Sequence, residues 1–232
     1  SREDSVASAQ STRDAAEQYL AHETLPKSGT DDVLGVQLAQ ILSEASLSLF
    51  VRQAAAIALK KYVRKRWSIF FDTFTQDMVV NGIVQTVDAT PVEAKEHIRT
   101  SLLACLCDAE PKVRSQASDI LSLISSCDFP DHFPQLLPTL QGYLHSYTEQ
   151  DAHAAYKVHG AMKFLLDLVH VELDENQLLM VAQQLVPLLQ GIVSSSSDWI
   201  TPHTRARCIN VFHQCLISLY MAKDTYVDTV HM

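Results

Sequence analysis

Histidine, cysteine and the acidic residues could perform chemistry in this chain, and their spacing decides which chemistry. The ten histidines form no His-Glu-x-x-His and no Glu-x-x-His pair, the spacings with which helices hold zinc. Cys105 and Cys107 are one residue apart, whereas zinc sites place about two to four residues between thiolates. No Gly-x-Gly-x-x-Gly, Gly-x-x-x-x-Gly-Lys or Gly-x-Ser-x-Gly segment occurs either. We therefore expect no enzyme activity, no metal and no cofactor, and free core thiols in a reducing compartment.

One short segment concentrates positive charge. Between Val51 and Arg66 lie six basic residues and no acidic residue, in a chain whose net charge is −9. Such a face could receive a phosphate backbone or an acidic protein loop, or it could be only the favourable cationic end of a helix dipole. The rest of the chain is strongly acidic. This charge favours basic partners and disfavours direct nucleic-acid binding, although solubility alone would also explain it.

The elements that carry these residues follow one repeated helical spacing. A β-branched or aromatic residue has a basic residue beside it, a small residue four positions on and a large apolar residue eight positions on. Because a helix turns every 3.6 residues, these positions share one side, and the small residue lets a neighbouring helix approach. The five copies are Thr12-Arg13…Ala16…Leu20, Val51-Arg52…Ala55…Leu59, Val113-Arg114…Ala117…Leu121, Tyr156-Lys157…Gly160…Phe164 and Thr204-Arg205…Cys208…Phe212.

The intervals between the copies indicate the fold class. They are 39, 62, 43 and 48 residues, and a period of about 40–47 is typical of HEAT or armadillo repeats. We predict an all-α fold, a right-handed α-solenoid of about four and a half HEAT repeats. Repeats 1 and 2 are expected over residues 1–107, and repeat 3 to the first helix of repeat 5 over 108–232. The chain is expected to be a fragment of a longer array, because no polar closing repeat follows.

Apolar periodicity and capping residues predict the individual helices. Thr90-Pro91-Val92-Glu93 predicts a helix start with a capping box, and Thr201-Pro202 predicts a second capped start. The long interval is assigned to an insertion at about 68–89, which could form a short helix laid against the array. No signal sequence and no apolar run of about 18 residues is recognised, so no membrane segment is expected. Helices are expected over 5–21, 31–45, 49–67, 90–107, 111–125, 150–171, 175–193 and 201–222, with another ending near 145.

Polar residues on the second helix of each pair form the candidate binding surface. In a superhelix of helix pairs, one helix of each pair lines the concave side, so these residues would face one groove. Solvation explains any one of them, whereas their alignment over successive repeats favours a site for a protein partner. The candidate residues are Gln37, Gln40, Glu44, Glu93, Glu96, His97, Thr100, Gln135 and Thr139.

Residues 47–67 resemble the second repeat of the importin-beta family of nuclear transport receptors. The resemblance lies in Arg52-Gln53, the small residues that follow, Leu59-Lys60, an aromatic residue and the terminal Trp67. Residues 38–42 fit the second helix of the family's first repeat. From Pro111 onward only generic HEAT patterning remains, so the specific match covers about a third of the chain. Among the family's branches, the chain is most similar to the receptor that imports core histones.

The resemblance implies a transport function. Family members bind cargo in the cytoplasm, pass the nuclear pore through FG-repeat nucleoporins and release cargo when Ran in its GTP form binds their N-terminal repeats. For this chain the resemblance implies shuttling between cytoplasm and nucleus, basic protein cargo such as core histones, and Ran contacts on the candidate surface. It implies neither nucleic acid nor membrane as a direct partner. A HEAT scaffold subunit of another complex and an exportin are the alternatives. The insertion at 68–89 departs from the family pattern.

Overall fold

The computed structural model describes residues 31–68, 77–80, 83–86, 90–149, 152–170 and 173–230. The helix expected over 5–21, with the first copy of the repeated spacing, lies outside the described residues. Helices dominate the remainder, so the all-α class is confirmed. The elements are α1 (Asp31–Ser43), α2 (Leu49–Arg66), β1 (Asp77–Val80), β2 (Ile83–Thr86), α3 (Val92–Cys105), α4 (Pro111–Asp128), α5 (Leu136–His145) with a 3₁₀ turn (Ser146–Thr148), α6 (Ala152–His170), α7 (Glu175–Ser194) and α8 (Pro202–Val230).

The chain forms two compact units, Ser1–Ile98 and Arg99–Met232, whose border falls within α3. In the first unit, α1 packs against α2. Gly35 allows this approach, because a Cβ at this position would lie 2.5 Å from the ring of Tyr62. Trp67 directly follows α2, is fully buried and has the Lys95 ammonium 5.1 Å from its ring centre. The predicted division of repeats at residues 107 and 108 stays a prediction.

The insertion between α2 and α3 contains a β-hairpin, and the short helix considered there is wrong for the described part. Strands β1 and β2 pair antiparallel, with Val80 opposite Ile83 and Asp77 opposite Thr86. β-branched residues fill most of both strands, and they favour a pleated backbone. The two residues that link the strands in sequence are Asn81-Gly82, the pair most favoured in two-residue hairpin loops. The sequence therefore carried a strand signal that the helical period obscured.

The second unit stacks helices in two rows, as expected for a helical-repeat solenoid. In one row α4 packs on α6 and α6 on α8, while α5 packs on α7 in the other. Gly160 is buried at the middle position of the repeated spacing, where an added Cβ would overlap the Leu106 carbonyl group. The predicted close approach at a small residue is thus confirmed. Val113, Ala117 and Leu121 show the full pattern, since all three are fully buried.

The arginine of the repeated spacing binds backbone carbonyls that precede its own helix. Helix C-termini leave carbonyl oxygens without intrahelical partners, and a nearby guanidinium satisfies them while complementing the helix dipole. Arg52 and Arg205 take this role at the ends of α1 and α7, whereas Arg114 binds carbonyls of the loop between α3 and α4. The bonds run from Arg52 Nε to the Leu42 carbonyl (2.8 Å), from Arg114 Nη1 to the carbonyls of Asp108 (2.5 Å) and Ala109 (2.9 Å), and from Arg205 Nη2 to the Ser195 carbonyl (2.8 Å).

A buried ion pair fixes the start of the second unit. Arg99 Nη1 lies 2.8 Å from Asp128 Oδ2, and both side chains are only 5% exposed. The same nitrogen donates to the His132 carbonyl oxygen at 2.7 Å, and the guanidinium lies over the ring of Phe133. These contacts join α3 to the end of α4 and to the turn that follows it.

Helix α7 is long and apolar enough to cross a membrane, judged only by length and composition over residues 176–194. It nevertheless packs against α5 and α8 and buries one side, through Leu178, Leu185 and Ile192. This is the pattern of an amphipathic helix that packs through one side.

Candidate functional site

Helix α1 presents two of the candidate residues to solvent. Gln37 and Gln40 are exposed, whereas Leu38 and Leu42 on the opposite side are buried. The amide side chains can both donate and accept hydrogen bonds, which suits contacts with a protein surface.

Glu44 lies in the turn after α1, and its predicted position on the helix is wrong. The helix ends at Ser43, two residues before the predicted end. Glu44 Oε1 accepts a hydrogen bond from the Ser46 backbone N–H at 3.0 Å. The side-chain and backbone hydrogen bonds of Ser46, assisted by the charge of Arg52, lower the pKa of the Glu44 carboxyl. This carboxylate therefore stabilises the turn that leads into α2.

Thr90 positions the start of α3, but it does so by a different contact from the predicted capping box. The helix begins at Val92. The buried Thr90 hydroxyl donates to the Arg66 carbonyl oxygen at 2.9 Å and shares a hydrogen bond with the Tyr62 hydroxyl at 3.2 Å. The Thr90 side chain thus satisfies a carbonyl oxygen at the end of α2, and this tertiary contact replaces the predicted capping box. The second predicted start is confirmed, since Thr201 Oγ1 accepts from the Thr204 N–H at 3.2 Å.

Helix α3 carries the largest group of candidate residues. Glu93, Glu96, His97 and Thr100 are all exposed and follow one another at helical spacing on one side of the helix. The other side is buried through Ala94, Ile98 and Leu102. In the first unit, α3 thus offers two carboxylates and an imidazole at the surface, a group suited to basic or hydrogen-bonding partners.

The second unit holds the last two candidates on α5. Gln135 is the exposed N-cap residue, and its side chain makes no capping hydrogen bond. Thr139 is half-buried, and its backbone N–H donates to the Gln135 carbonyl oxygen at 3.0 Å. Of the two, Gln135 is the more accessible to a partner.

The structure gives these residues no catalytic arrangement. Within the described ranges, no three His, Cys, Asp or Glu side chains come together as metal ligands. All five cysteines are free thiols, and burial raises the pKa of Cys208 to about 11. Burial also raises the pKa of Cys107 and Cys215. Such thiols stay protonated at neutral pH and are poor nucleophiles.

The second unit contains a basic cluster around His159 that the sequence did not predict. His159 Nε2 lies 3.1 Å from Thr204 Oγ1, and the imidazole meets the edge of Trp199. Burial lowers the pKa of His159, and the charges of Arg114, Arg207 and His203 lower it further. Three helices bring these groups together. No sequence motif indicates such a cluster, because Arg114, His159 and Arg207 are far apart in sequence.

Comparison with known proteins finds a family domain in the first part of the chain and relatives over most of its length. Residues 21–108 match the importin-beta N-terminal domain. Over 193 residues the chain is 28% identical to importin subunit beta-5 of Schizosaccharomyces pombe, which covers 82% of this chain and 18% of that protein. Over 185 residues it is 25% identical to importin-9 of Drosophila melanogaster, covering 80% of this chain and 16% of that protein. The chain thus spans less than a fifth of these relatives.

A solved structure shows the same fold. It is that of Lph2, described as a novel bidirectional nuclear transport receptor of S. cerevisiae. The two share a TM-score of 0.62 at 18% identity, over 85% of this chain and 20% of that one. The resemblance of residues 47–67 is confirmed, because these residues lie within the segment that matches the importin-beta N-terminal domain.

Proposed function

We propose that this chain is the N-terminal part of a nuclear import receptor, which binds Ran in its GTP form and carries basic protein cargo. The match of residues 21–108 to the importin-beta N-terminal domain carries the proposal, since Ran binding through this domain is general in the family. The chain would act by binding alone, without a catalytic step.

The proposed Ran contacts lie on the exposed side chains of α1 and α3. In the first unit these are Gln37, Gln40, Glu93, Glu96 and His97, with Glu44 in the adjoining turn. Their amide and carboxylate groups can meet the backbone and basic side chains of a GTPase surface. Thr100, Gln135 and Thr139 are proposed as further contacts on the second unit. Of these, Thr139 is expected to contribute least because it is half-buried.

Cargo, nucleoporins and location are proposals about the whole receptor. The net charge of −9 favours basic cargo, such as the core histones suggested by the likeness to the histone-importing branch. Cargo would be bound in the cytoplasm, carried past FG-repeat nucleoporins and released in the nucleus when RanGTP binds. Release by a second ligand requires that Ran and cargo differ in their affinity for two states of the receptor.

A titration of the chain with Ran loaded with GTP or with GDP tests the proposal, at an ionic strength near 0.15 M. We expect saturable binding of the GTP form, with binding of the GDP form at least about 100-fold weaker, a difference of about 2.7 kcal/mol. The double variant E93K/E96K should weaken binding of the GTP form, because two surface carboxylates become like charges.

A matched control separates this surface from a general charge effect. D198K reverses an exposed carboxylate on the second unit, outside the proposed contacts, and should leave the Ran affinity unchanged. Equal binding of both nucleotide forms, or none, would favour the scaffold alternative. Equal loss of affinity in D198K and E93K/E96K would remove the proposed contacts while leaving Ran binding intact.

An exportin is the second candidate, because the structurally similar receptor is described as bidirectional. An exporter binds its cargo more tightly when RanGTP is present, whereas an importer binds it less tightly. The sign of the effect of RanGTP on cargo affinity therefore distinguishes the two functions.

A further inference from the structure

We propose that the exposed side of α2 binds an acidic segment of a partner protein that also carries large apolar side chains. This surface, the α2 face, comprises Phe50, Ala54, Ile57, Lys61 and Lys65. Their spacing of three or four residues places them in one stripe along the helix. At about 1.5 Å per residue the stripe is about 22 Å long, the length of four helical turns.

The first half of the α2 face is apolar and open to solvent. Phe50 is 44% exposed and Ile57 is 55% exposed, and neighbouring Val51 is also exposed. The opposite side of the helix buries Ala55, Leu59 and other residues in the first unit. Among the described residues of the unit, packing accounts for one side of α2, and these large side chains stay exposed. Exposed apolar groups in a continuous stripe mark an interaction surface more often than isolated ones do.

The second half of the α2 face is basic. Lys61 and Lys65 are exposed, and no acidic residue occurs anywhere in α2. The helix dipole favours cations in the last turn, which explains Lys65. It does not explain why Lys61, one turn earlier, continues the stripe of Phe50 and Ile57. In a chain of net charge −9, this positive face selects acidic partners that the rest of the surface repels.

The combination of an apolar half and a basic half distinguishes two classes of ligand, nucleic acids and acidic peptides. A nucleic acid needs several cations along its backbone. Of the apolar half it would use only the Phe50 ring, by stacking a base, and it would leave Ile57 uncovered. An amphipathic acidic peptide uses both halves, since its apolar side chains cover Phe50 and Ile57 while its carboxylates meet the lysines. We therefore assign the face to a protein segment with acidic and apolar residues.

Fluorescence anisotropy with synthetic peptides of about 16 residues tests the assignment, since this length covers the face in helical form. The first probe combines glutamates with leucines at helical spacing. In the second probe serine replaces each leucine, and in the third glutamine replaces each glutamate. A single-stranded DNA of similar length is the fourth probe. We expect binding of the first probe only, weakened about tenfold between 0.05 and 0.5 M salt.

Two variants of the whole chain examine the halves separately. K61E/K65E and I57S should each weaken the first probe at least about tenfold, with the salt dependence lost only in K61E/K65E. K112E, which reverses an exposed lysine at the start of α4, is the matched control and should bind the probe normally. Equal binding of the leucine and serine probes, tighter binding of DNA, or equal affinity in K61E/K65E and K112E would overturn the proposal. The test does not involve Ran, so its outcome is independent of the proposed transport function.

Discussion

Helices α2 and α4 are both 18 residues long and both carry the repeated spacing, yet they differ in what they expose. Each places an arginine at the second position of this spacing. Arg52 caps the end of α1, and Arg114 donates to carbonyl oxygens of the loop before α4. On α4 the clearly exposed residues are only Pro111, Lys112 and Ser126. On α2 the exposed side carries large apolar groups and then lysines.

This difference shows that the repeated spacing constrains the buried side of a helix but not its exposed side. The small residues of the repeated spacing are buried in every described copy, because they must fit neighbouring helices. Its flanking positions vary, since Val51 and Phe212 are exposed. The exposed side is free of that demand and can differ between repeats. We therefore expect partners to bind where a helix exposes side chains that packing does not require. These are the apolar and basic residues of α2 and the polar residues of α3.

The largest expected difference in unfolding free energy is between substitutions at the C-terminal ends of α4 and α2. Replacing Asp128 at the end of α4 by alanine leaves the buried Arg99 guanidinium without its carboxylate, which should cost about 3–5 kcal/mol of unfolding free energy. K65A at the exposed end of α2 should change that free energy little. Urea denaturation of both variants measures the contrast. Similar midpoints in the two variants would show that the ion pair is not a main support of the second unit.

Substitutions at Gly160 and Gly142 test how closely the helices pack on their buried sides. G160A would push a methyl group into the Leu106 carbonyl group, so we expect a loss of about 3 kcal/mol, at the upper end for overpacking. G142A is the control, because nothing lies within 4 Å of its added Cβ. The control should gain up to about 1 kcal/mol through helix propensity. Thermal unfolding of both variants decides, and a neutral G160A would contradict the close approach of α6.

The arginine of the repeated spacing should contribute to stability in both helices, with the larger effect in α2. Arg52 is only 2% exposed, so R52M should lose about 2 kcal/mol as the Leu42 carbonyl loses a charged donor. Arg114 is half-buried, and its bonds are closer to solvent, so R114M should lose less. Urea titrations at one temperature give both values. The reverse order would mean that burial does not set the strength of this contact.

The smallest expected effect is a pH dependence confined to the second unit. The folded-state pKa of His159 is lowered, so its contribution to stability is complete above the unfolded value of 6.5 and is lost as the pH falls below it. H159Q should therefore flatten the stability curve between about pH 7 and pH 5. H213Q, at an exposed histidine of α8, should leave the curve unchanged. Equal curves for both variants would remove the burial of His159 as the cause.

The sequence predicted the helices well because burial and the repeated spacing act through neighbouring residues. Helices α4 to α7 begin and end within a few residues of expectation, and Gly160 behaves as its position predicted. The failures have different causes. A tertiary contact with the end of α2 takes up the Thr90 hydroxyl, whereas Glu44 accepts a local hydrogen bond from Ser46. The hairpin in the insertion had a local signal in Asn81-Gly82, which the helical periodicity obscured. The cluster around His159 could not be predicted, since three separate helices build it.

The affinity of RanGTP for the unmodified chain, for E93K/E96K and for K61E/K65E under the same conditions tests whether α3 is the Ran surface. We expect the α3 variant to lose most of its binding and the α2 variant to keep it, because α2 serves a different, acidic partner. Unchanged binding in E93K/E96K, or binding that ignores the nucleotide, would contradict the assignment of α3 as the Ran surface.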